Sequence, residues 1–274
     1  MTMKKGFLIL AILVCSLVPY VHAIEIMGMS PNVSGTAELT FQSQYIWRGF
    51  DVYGSKSAVQ VSTDLSLADS GFGVNVSAHR ANASGFETGE RWDYNLYYQT
   101  LFMAESPLAT QFRLGYTYYN HPQVSHTNMD LEEIHAIMAW PNATSIDGLV
   151  PSYALVKMWP NNSTASGSTV ASEASGYLHI LMLDYKTTVP GYSAEIPELP
   201  LYLHSELVYN DGVDPYGFGV DHDWSHIVLG ASTDLDMGNN ISLVPAINWQ
   251  ITMDSSIRSS DDEVWATLGA RVSF

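Results

Sequence analysis

The sequence predicts an all-β protein, a transmembrane antiparallel up-and-down β-barrel of about 12 strands, with 10 or 14 as alternatives. Three observations lead to this prediction. Apolar and polar residues alternate over segments of about ten residues, the length that a tilted strand needs to cross a bilayer. The chain is 46% hydrophobic and only 14% charged, which is little charge for a soluble protein. Beyond the N-terminal region, no apolar run is long enough for a transmembrane helix.

The N-terminal region has the features of a secretory signal peptide. Lys4 and Lys5 give a positive start, residues 7–18 are almost wholly apolar, and small residues precede a cleavage point after residue 23. We therefore expect a signal peptide at residues 1–23 and a barrel domain at residues 24–274. An uncleaved anchor helix is the alternative.

Cysteine content and net charge exclude several classes of function. Cys15 is the only cysteine and lies inside the apolar run, so the mature domain is expected to lack disulfides, thiol catalysis and cysteine-based metal sites. The formal net charge is −17. Nucleic acid is therefore not an expected partner, because binding to phosphate requires a basic surface.

The strands at the two ends of the chain alternate most clearly. In the last segment one face carries Val264, Ala266, Leu268, Ala270, Val272 and Phe274. Comparable alternation predicts strands near residues 36–48, 59–67, 72–79, 92–99, 111–118, 201–207, 226–232 and 241–253. Segments near 131–140, 149–159 and 177–185 also suit strands, but residues 153–159 and 177–185 do not fix which face points outward.

The connections alternate in length, as they do in outer-membrane barrels with short periplasmic turns and longer outer loops. Short turns are predicted near residues 68–71, 105–108 and 236–239. Longer polar loops are predicted near 80–90, 120–130, 160–175, 210–223 and 254–262. The connection near 187–200 is long although it belongs to the short side. A soluble β-sandwich is the alternative fold, but its strands are commonly only about five or six residues long.

The faces opposite the apolar ones carry polar residues that are expected to point into the barrel. The candidate pore-lining residues are Glu38, Asp64, His79, Asp93, Arg113, His204, Glu206 and Arg271. Such residues either line a water-filled pore or fill the barrel with paired charges. The sequence leaves both possibilities open.

Aromatic residues gather near the predicted strand ends, which is typical of the girdles at the two membrane interfaces. The candidates for the girdles are Tyr45, Trp47, Phe50, Trp92, Tyr94, Tyr116, Tyr118, Trp140, Trp159 and Trp224. The more specific alternative is that these aromatic residues form a site where sugars stack on the rings. The composition favours it less than interfacial girdles.

The predicted outer loops are rich in acidic residues, and some contain histidine. The simpler interpretation is that these acidic residues form a solvated rim. The more specific interpretation is that they bind divalent cations that bridge to lipopolysaccharide, or that they attract cations to a pore mouth. The pairs His121/His126 and His222/His226 lack a third ligand at a recognisable spacing. We therefore predict no dedicated metal site and no cofactor.

An outer-membrane barrel with enzymatic activity is the alternative to a passive channel. Outer-membrane phospholipases carry a serine two residues after a histidine, and no His-x-Ser occurs in this chain. Asp221, His222 and Asp223 superficially imitate an omptin-like site, but adjacent strand residues point to opposite faces. The sequence therefore predicts no enzymatic activity.

Several segments resemble the TorF-type porin family of bacterial outer-membrane barrels. The residues that carry the resemblance are 43–50 (SQYIWRGF), 58–60 (AVQ), 92–97 (WDYNLY), and Tyr118-Tyr119 followed by 130–133 (DLEE). The resemblance covers about the first half of the mature chain and implies an outer-membrane barrel with a channel role. It also implies a structural task for Trp47, Arg48 and Gly49 as a turn at the barrel rim, with Arg48 pairing with inward or rim carboxylates.

The expected function is passive passage of small solutes or ions across the bacterial outer membrane, with a weak preference for cations. A structural or adhesive barrel with a plugged lumen is the second hypothesis, and a lipid-modifying enzyme is the third. Expected partners are outer-membrane lipid, lipopolysaccharide and the barrel-assembly machinery, which would recognise the strand ending in Phe274. The sequence does not indicate an oligomeric state.

Overall fold

A computed structural model describes residues 33–161, 174–191, 198–257 and 261–274; the predicted signal peptide lies outside these ranges. Twelve long strands form the wall: β1 (Val33–Gln42), β4 (Ala58–Leu67), β5 (Phe72–Ala81), β6 (Arg91–Phe102), β7 (Thr110–Asn120), β8 (Leu131–Ala139), β9 (Leu149–Pro160), β10 (Gly176–Val189), β11 (Leu199–Asp211), β12 (His222–Ser232), β14 (Ile241–Thr252) and β15 (Glu263–Ser273). Three short strands are β2 (Ile46–Trp47), β3 (Phe50–Asp51) and β13 (Leu235–Gly238).

The wall is a closed antiparallel barrel. Each long strand pairs with the next long strand along the chain, and β1 pairs with β15 to close the sheet. In that seam Glu38 lies opposite Arg271 and Phe41 lies opposite Leu268. Closure leaves none of the twelve long strands with an unpaired edge, which is the condition for a sheet to exist in lipid. The predicted fold class and strand number are confirmed.

The helices are short. In the part of the chain that the structure describes they are α1 (His126–Met129) and two 3₁₀ turns, Ala68–Ser70 and Glu87–Gly89. Among the described residues, no helix is both long and apolar enough to cross a membrane.

Large apolar side chains cover the outside of the barrel. Val264, Ile247 and Leu96 are 61%, 57% and 53% exposed, and other strands present Leu39, Phe41, Leu114, Ile134, Leu181, Leu203 and Leu229 in the same way. In water this surface would carry a large hydrophobic penalty, whereas lipid tails solvate it without cost. The alternation in sequence therefore gives an apolar surface that faces the bilayer.

The first strand is shorter than predicted. It ends at Gln42 rather than continuing to Arg48, and residues 43–57 form an inward-folded segment that contains the β2–β3 pair. We call this segment the lumen hairpin. Tyr45, Trp47 and Phe50 lie in it, so their prediction as girdle residues at the membrane interface is wrong. Their alternation reflects a second, much shorter β-pair inside the barrel.

One part of the inner wall is apolar, which explains why the segments of β9 and β10 gave no clear outward face. Val156, Met158, Leu178, Ile180 and Val208 form a buried cluster on the inner side of β9–β11. Trp47 of the lumen hairpin packs against this cluster. These strands are therefore apolar on both faces, one against lipid and one against the hairpin.

The connections follow the predicted alternation in part. The 68–71 turn is short, and the 233–240 connection carries β13, which pairs with β14. The connection between β8 and β9 spans residues 140–148 and is longer than a tight turn. Parts of the 160–175, 187–200 and 254–262 connections lie outside the described residues.

Candidate functional site: the hairpin in the barrel lumen

The tip of the lumen hairpin is a tight turn at Arg48 and Gly49. Both residues have a positive φ, 54° and 90°, as a two-residue hairpin turn with right-handed strand twist requires. The carbonyl oxygen of Gly49 accepts a 2.9 Å hydrogen bond from Nε2 of Gln250 on β14. A Cβ atom at Gly49 would lie 2.7 Å from Nδ1 of His226 on β12. Glycine is thus required here for its backbone conformation and for close packing.

Arg48 fastens the hairpin tip to the wall at β8. Its NH2 atom donates to both carboxylate oxygens of Glu133, at 3.0 and 2.9 Å. The Glu133 side chain is only 2% exposed, and it also accepts hydrogen bonds from the Tyr119 hydroxyl at 2.8 Å and contacts Nδ1 of His135 at 3.0 Å. A buried carboxylate is stable only when paired in this way. Arg48 and Glu133 therefore hold each other in place.

Arg91 supports the hairpin from β6. Its guanidinium donates to Asp93 through Nε at 2.7 Å and to the hydroxyl of Tyr45 through NH2 at 2.9 Å. The same guanidinium lies 4.1 Å from the centre of the Trp47 ring and 4.8 Å from that of Tyr119. Cation–π contacts of this kind are strongest where water is excluded. Arg91 thereby joins two hairpin aromatics to the wall.

The outer loop between β11 and β12 covers the hairpin. The carboxylate of Asp214 accepts backbone N–H bonds from Phe218 at 3.0 Å and Gly219 at 2.7 Å, which folds the loop into a compact turn. The ring of Tyr216 in this loop lies 5.3 Å from the Phe50 ring and 6.4 Å from the Trp47 ring. The loop and the hairpin form one aromatic layer.

Together these contacts fill the outer mouth of the barrel. The hairpin starts between β1 and β4, yet it contacts β6, β7 and β8 on one side and β12, β14 and β15 on the other. Phe50 and Tyr53 are 1% and 0% exposed. A water-filled passage past the hairpin would leave these rings wet. Among the described residues, no water-filled passage therefore runs along these two rings.

The lumen on the short-turn side of the hairpin is polar and partly open. Nε of Arg271 donates to Glu38 at 2.8 Å, and the Tyr97 hydroxyl donates to Asp64 at 2.7 Å. The Arg113 guanidinium lies 3.9 Å from the centre of the Tyr97 ring. A cavity of about 640 Å³ opens there, and its lining includes Ser66, Gln99, Gln111 and Arg113.

The structure places the eight predicted pore-lining residues on the inner wall, but in two different environments. His79 and Asp93 are buried beside the hairpin, where His79 Nε2 lies 3.0 Å from Asp93 Oδ2. The remaining six line other parts of the lumen: Glu38, Asp64, Arg113, His204, Glu206 and Arg271. The predicted turn at Trp47, Arg48 and Gly49 exists, but it lies within the lumen, because the whole segment folds inward.

Two residues that the sequence did not single out, Arg91 and Gln250, complete the site together with Glu133, which the sequence marked only within the acidic segment 130–133. Arg91, Glu133 and Gln250 each bind the hairpin from a different strand. Each stands at an inward position of an alternating strand, close to its outer end. That position was the only signal in the sequence that could have pointed to them.

The group Ser77, His79 and Asp93 superficially resembles a hydrolase triad. However, Ser77 Oγ and Asp93 Oδ2 both contact the same ring nitrogen of His79, Nε2, at 3.2 and 3.0 Å. A triad needs the base to contact its serine and its carboxylate through different nitrogens. This geometry provides no proton relay.

The two histidine pairs weighed as metal sites are not brought together as pairs. His121 contacts Asp130 at 3.7 Å, and His222 contacts Asp211 in the outer loop region. His226 lies inside the lumen, 1% exposed, because it follows a register shift in β12. Each histidine therefore has its own separate surroundings.

The stability of the folded barrel is expected to depend on pH through the ionisation of Asp130. Its burial raises its pKa, but hydrogen bonds from His121, Tyr118 and Asn120 outweigh this and lower the pKa of Asp130 from 3.8 to about 2. A lowered pKa means stability that is present above pH 4 and lost as the pH falls through 2. We expect Asp130→Asn to lower the stability of the barrel at pH 7. We also expect the stability of this variant to fall less between pH 4 and pH 2 than that of the unaltered protein.

The measurement is denaturant unfolding of the refolded barrel in detergent at pH 7, 4 and 2. Asp236→Asn is the matched control, because the Asp236 residue of β13 is exposed. Identical pH profiles for the Asp130 variant and the unaltered protein would contradict this role.

No protein-family model matches the sequence, and a comparison with curated proteins gives no match either. Solved structures match in fold. The KdgM porin aligns with a TM-score of 0.51 at 10% identity, covering 87% of this chain and 99% of that chain. The NanC porin aligns with a TM-score of 0.50 at 10% identity, covering 88% of this chain and 98% of that chain.

These likenesses show the fold, a barrel of the bacterial outer-membrane porin type. LpxR from Salmonella typhimurium also aligns, with a TM-score of 0.49 at 8% identity, covering 87% of this chain and 100% of that chain, a similarity too low to argue from. The resemblance to the TorF-type family in particular stays a prediction.

Proposed function

We propose that the protein is an outer-membrane porin-like channel for small solutes or ions, closed at its outer mouth by the lumen hairpin in the conformation described. The observation that carries this proposal is a dense hairpin plug above a polar, partly open lumen. The apolar outer surface supports a location in the outer membrane. A barrel that served only as a scaffold would have no need for the cavity of about 640 Å³ at its short-turn end.

The charge of the lumen supports a weak preference for cations. The carboxylates outside the hairpin region are Glu38, Asp64, Asp184, Glu206 and Asp234, whereas the basic side chains there are Arg113, Lys186 and Arg271. An excess of one sign in a narrow aqueous lumen concentrates the opposite ion, because low-dielectric walls focus the field. Cations are therefore expected to enter more readily than anions.

A plugged barrel acting through its outer loops is the second candidate. It is favoured by the nearly complete burial of Phe50, Tyr53 and Glu133, because a plug so well packed opens rarely. In this case the loops around Tyr216 would carry the activity and the lumen would be structural.

The test is a planar-bilayer recording of the refolded protein across a salt gradient, over a range of voltages. We expect small current steps with a reversal potential on the cation-selective side. Anion selectivity would contradict the proposed preference. Silence from protein shown to be folded, at every voltage, would favour the second candidate.

A further inference from the structure

His79 of β5 lies against the lumen hairpin. Its side chain is only 6% exposed, and its ring packs against the ring of Tyr45 with 4.7 Å between the centroids. Tyr45 in turn packs against Tyr53 of the same hairpin, with 5.5 Å between the centroids. A change in the charge of the His79 ring therefore acts directly on the aromatic residues of the hairpin.

The two nitrogens of the His79 ring have different surroundings. Nε2 lies 3.0 Å from Asp93 Oδ2 and 3.2 Å from Ser77 Oγ. Nδ1 is buried, and no described residue gives it a hydrogen-bond partner. A neutral imidazole suits this site, because its one hydrogen on Nε2 can be donated to Asp93. A charged imidazole carries a hydrogen on both nitrogens and would bury an unpaired donor at Nδ1, which is costly.

The carboxylate beside His79 is already paired with an arginine. Nε of Arg91 donates to Asp93 Oδ1 at 2.7 Å, and NH2 of Arg91 donates to Asp93 Oδ2 at 2.9 Å. Asp93 Oδ2 is also the oxygen that His79 contacts. A proton on His79 would therefore add a buried positive charge beside Arg91 without a carboxylate of its own.

The elements around this cluster supply no further negative charge. On β4 the residue opposite His79 is the uncharged Gln60. Glu90, which precedes β6, lies 3.9 Å from Arg80. The titratable groups that the hairpin and the outer loop place near Arg91 and Asp93 are the phenols of Tyr45, Tyr53 and Tyr216. Phenols are uncharged below pH 8, so none of them compensates a charge on His79.

Two other histidines lie near the hairpin, but their ring nitrogens are not left buried and unpaired. His226 Nδ1 lies 2.8 Å from Ser225 Oγ, and its Nε2 lies 3.7 Å from Glu206 Oε1. His135 Nδ1 lies 3.0 Å from Glu133 Oε1, and the His135 side chain is 11% exposed. Protonation of these rings is therefore less disruptive than protonation of His79.

From these contacts we propose that mild acid releases the lumen hairpin and that His79 is the residue that senses the acid. With the hairpin docked, the surroundings of His79 suit only the neutral ring. When the hairpin leaves, water reaches Nδ1, and the ring takes up a proton in the range between pH 7.5 and 5 as an ordinary imidazole does. Protons thus bind the released state more tightly than the docked state, so a fall in pH shifts the equilibrium toward release. The inference rests on the proposed function only for its consequence, that release opens the lumen.

The experiment is hydrogen–deuterium exchange of the refolded full barrel in detergent at pH 7.5 and pH 5, followed by mass spectrometry. The rates are corrected for the intrinsic effect of pH on exchange, and the amides of β15 serve as the internal reference. We expect the amides of residues 46–51 to exchange at least about tenfold faster at pH 5, since one unpaired buried donor changes a population by about that factor.

Substitutions identify the residue that responds. His79→Gln keeps an N–H donor for Asp93 but gains no proton, so its hairpin should exchange at the same corrected rate at both pH values. His79→Asn is a second variant that gains no proton, and circular dichroism would show which variants are folded. Two controls should keep the acid response: His121→Gln, which removes another buried ring nitrogen without a partner, and His222→Gln, which changes an exposed histidine.

Three outcomes would overturn the proposal. They are equal hairpin exchange at the two pH values in the folded unaltered protein, an acid response that the folded His79 variants retain, and an acid response that either control abolishes. Planar-bilayer recording at the same two pH values separates this inference from the proposed function. Faster hairpin exchange at pH 5 without a larger current would support release by acid and contradict the channel.

Discussion

Replacing Arg48 with alanine is expected to turn a nearly closed barrel into one whose current switches between two levels. The substitution removes the guanidinium that donates to both oxygens of Glu133. Loss of one partner of a buried ion pair costs about 3–5 kcal/mol, because the other charge stays buried without compensation. Tyr119 and His135 still contact Glu133, so the lower end of that range is expected. The docked hairpin should then leave the lumen for a measurable fraction of the time.

Single-channel recording measures this effect directly. Arg48→Lys should behave in between, because lysine keeps the charge but cannot donate as a two-pronged planar group. Arg113→Ala is the control for loss of a lumen charge, since Arg113 contacts Gln99 and Tyr97 and not the hairpin. If Arg48→Ala and Arg113→Ala gave the same current as the unaltered protein, the anchoring role of Arg48 would be refuted.

Replacing Gly49 with alanine is expected to expose the hairpin to protease. The residue has a φ of 90°, and a Cβ there would lie 2.7 Å from the His226 ring. The backbone strain costs about 1–3 kcal/mol, and displacement of His226 adds to it. Because each 1.4 kcal/mol changes a population tenfold, the released hairpin should become at least about tenfold more abundant.

Trypsin reports the release, because Arg48 lies in a tight turn inside the lumen and becomes a substrate only outside it. Gly219→Ala is the matched control: Gly219 also has a positive φ, 74°, but nothing lies within 4 Å of an added Cβ. Equal cleavage after Arg48 in both variants would show that packing against His226 does not hold the hairpin.

The barrel could be predicted from the sequence, because its wall obeys a rule that every strand repeats. A strand between lipid and a polar lumen alternates with period two, and β15 or β14 shows this without any knowledge of its neighbours. The turn at Gly49 was implied by the resemblance of residues 43–50 to a known porin family. Each of these inferences uses only local sequence.

The lumen hairpin could not be predicted, because its residues alternate between apolar and polar in the same way as the strands of the barrel wall. Tyr45 and Trp47 continue the alternation of β1, and nothing local shows that the chain turns inward after Gln42. The apolar inner face of β9 and β10, at Val156 and Leu178, was visible as a loss of alternation. This loss of alternation is explained by packing against Trp47, which lies about 110 residues before Val156 in the chain. A single sequence does not reveal such distant contacts.

The most direct test of the plugged channel is the conductance of a barrel without the plug. Residues 46–51 would be replaced by a Gly-Ser linker of equal length, and the variant would be compared with the unaltered protein in the same planar bilayer. We expect steady current steps several times larger than those of the unaltered protein, with cation selectivity retained. Equal conductance in the two folded proteins, or silence in both, would contradict the claim that the hairpin closes a channel.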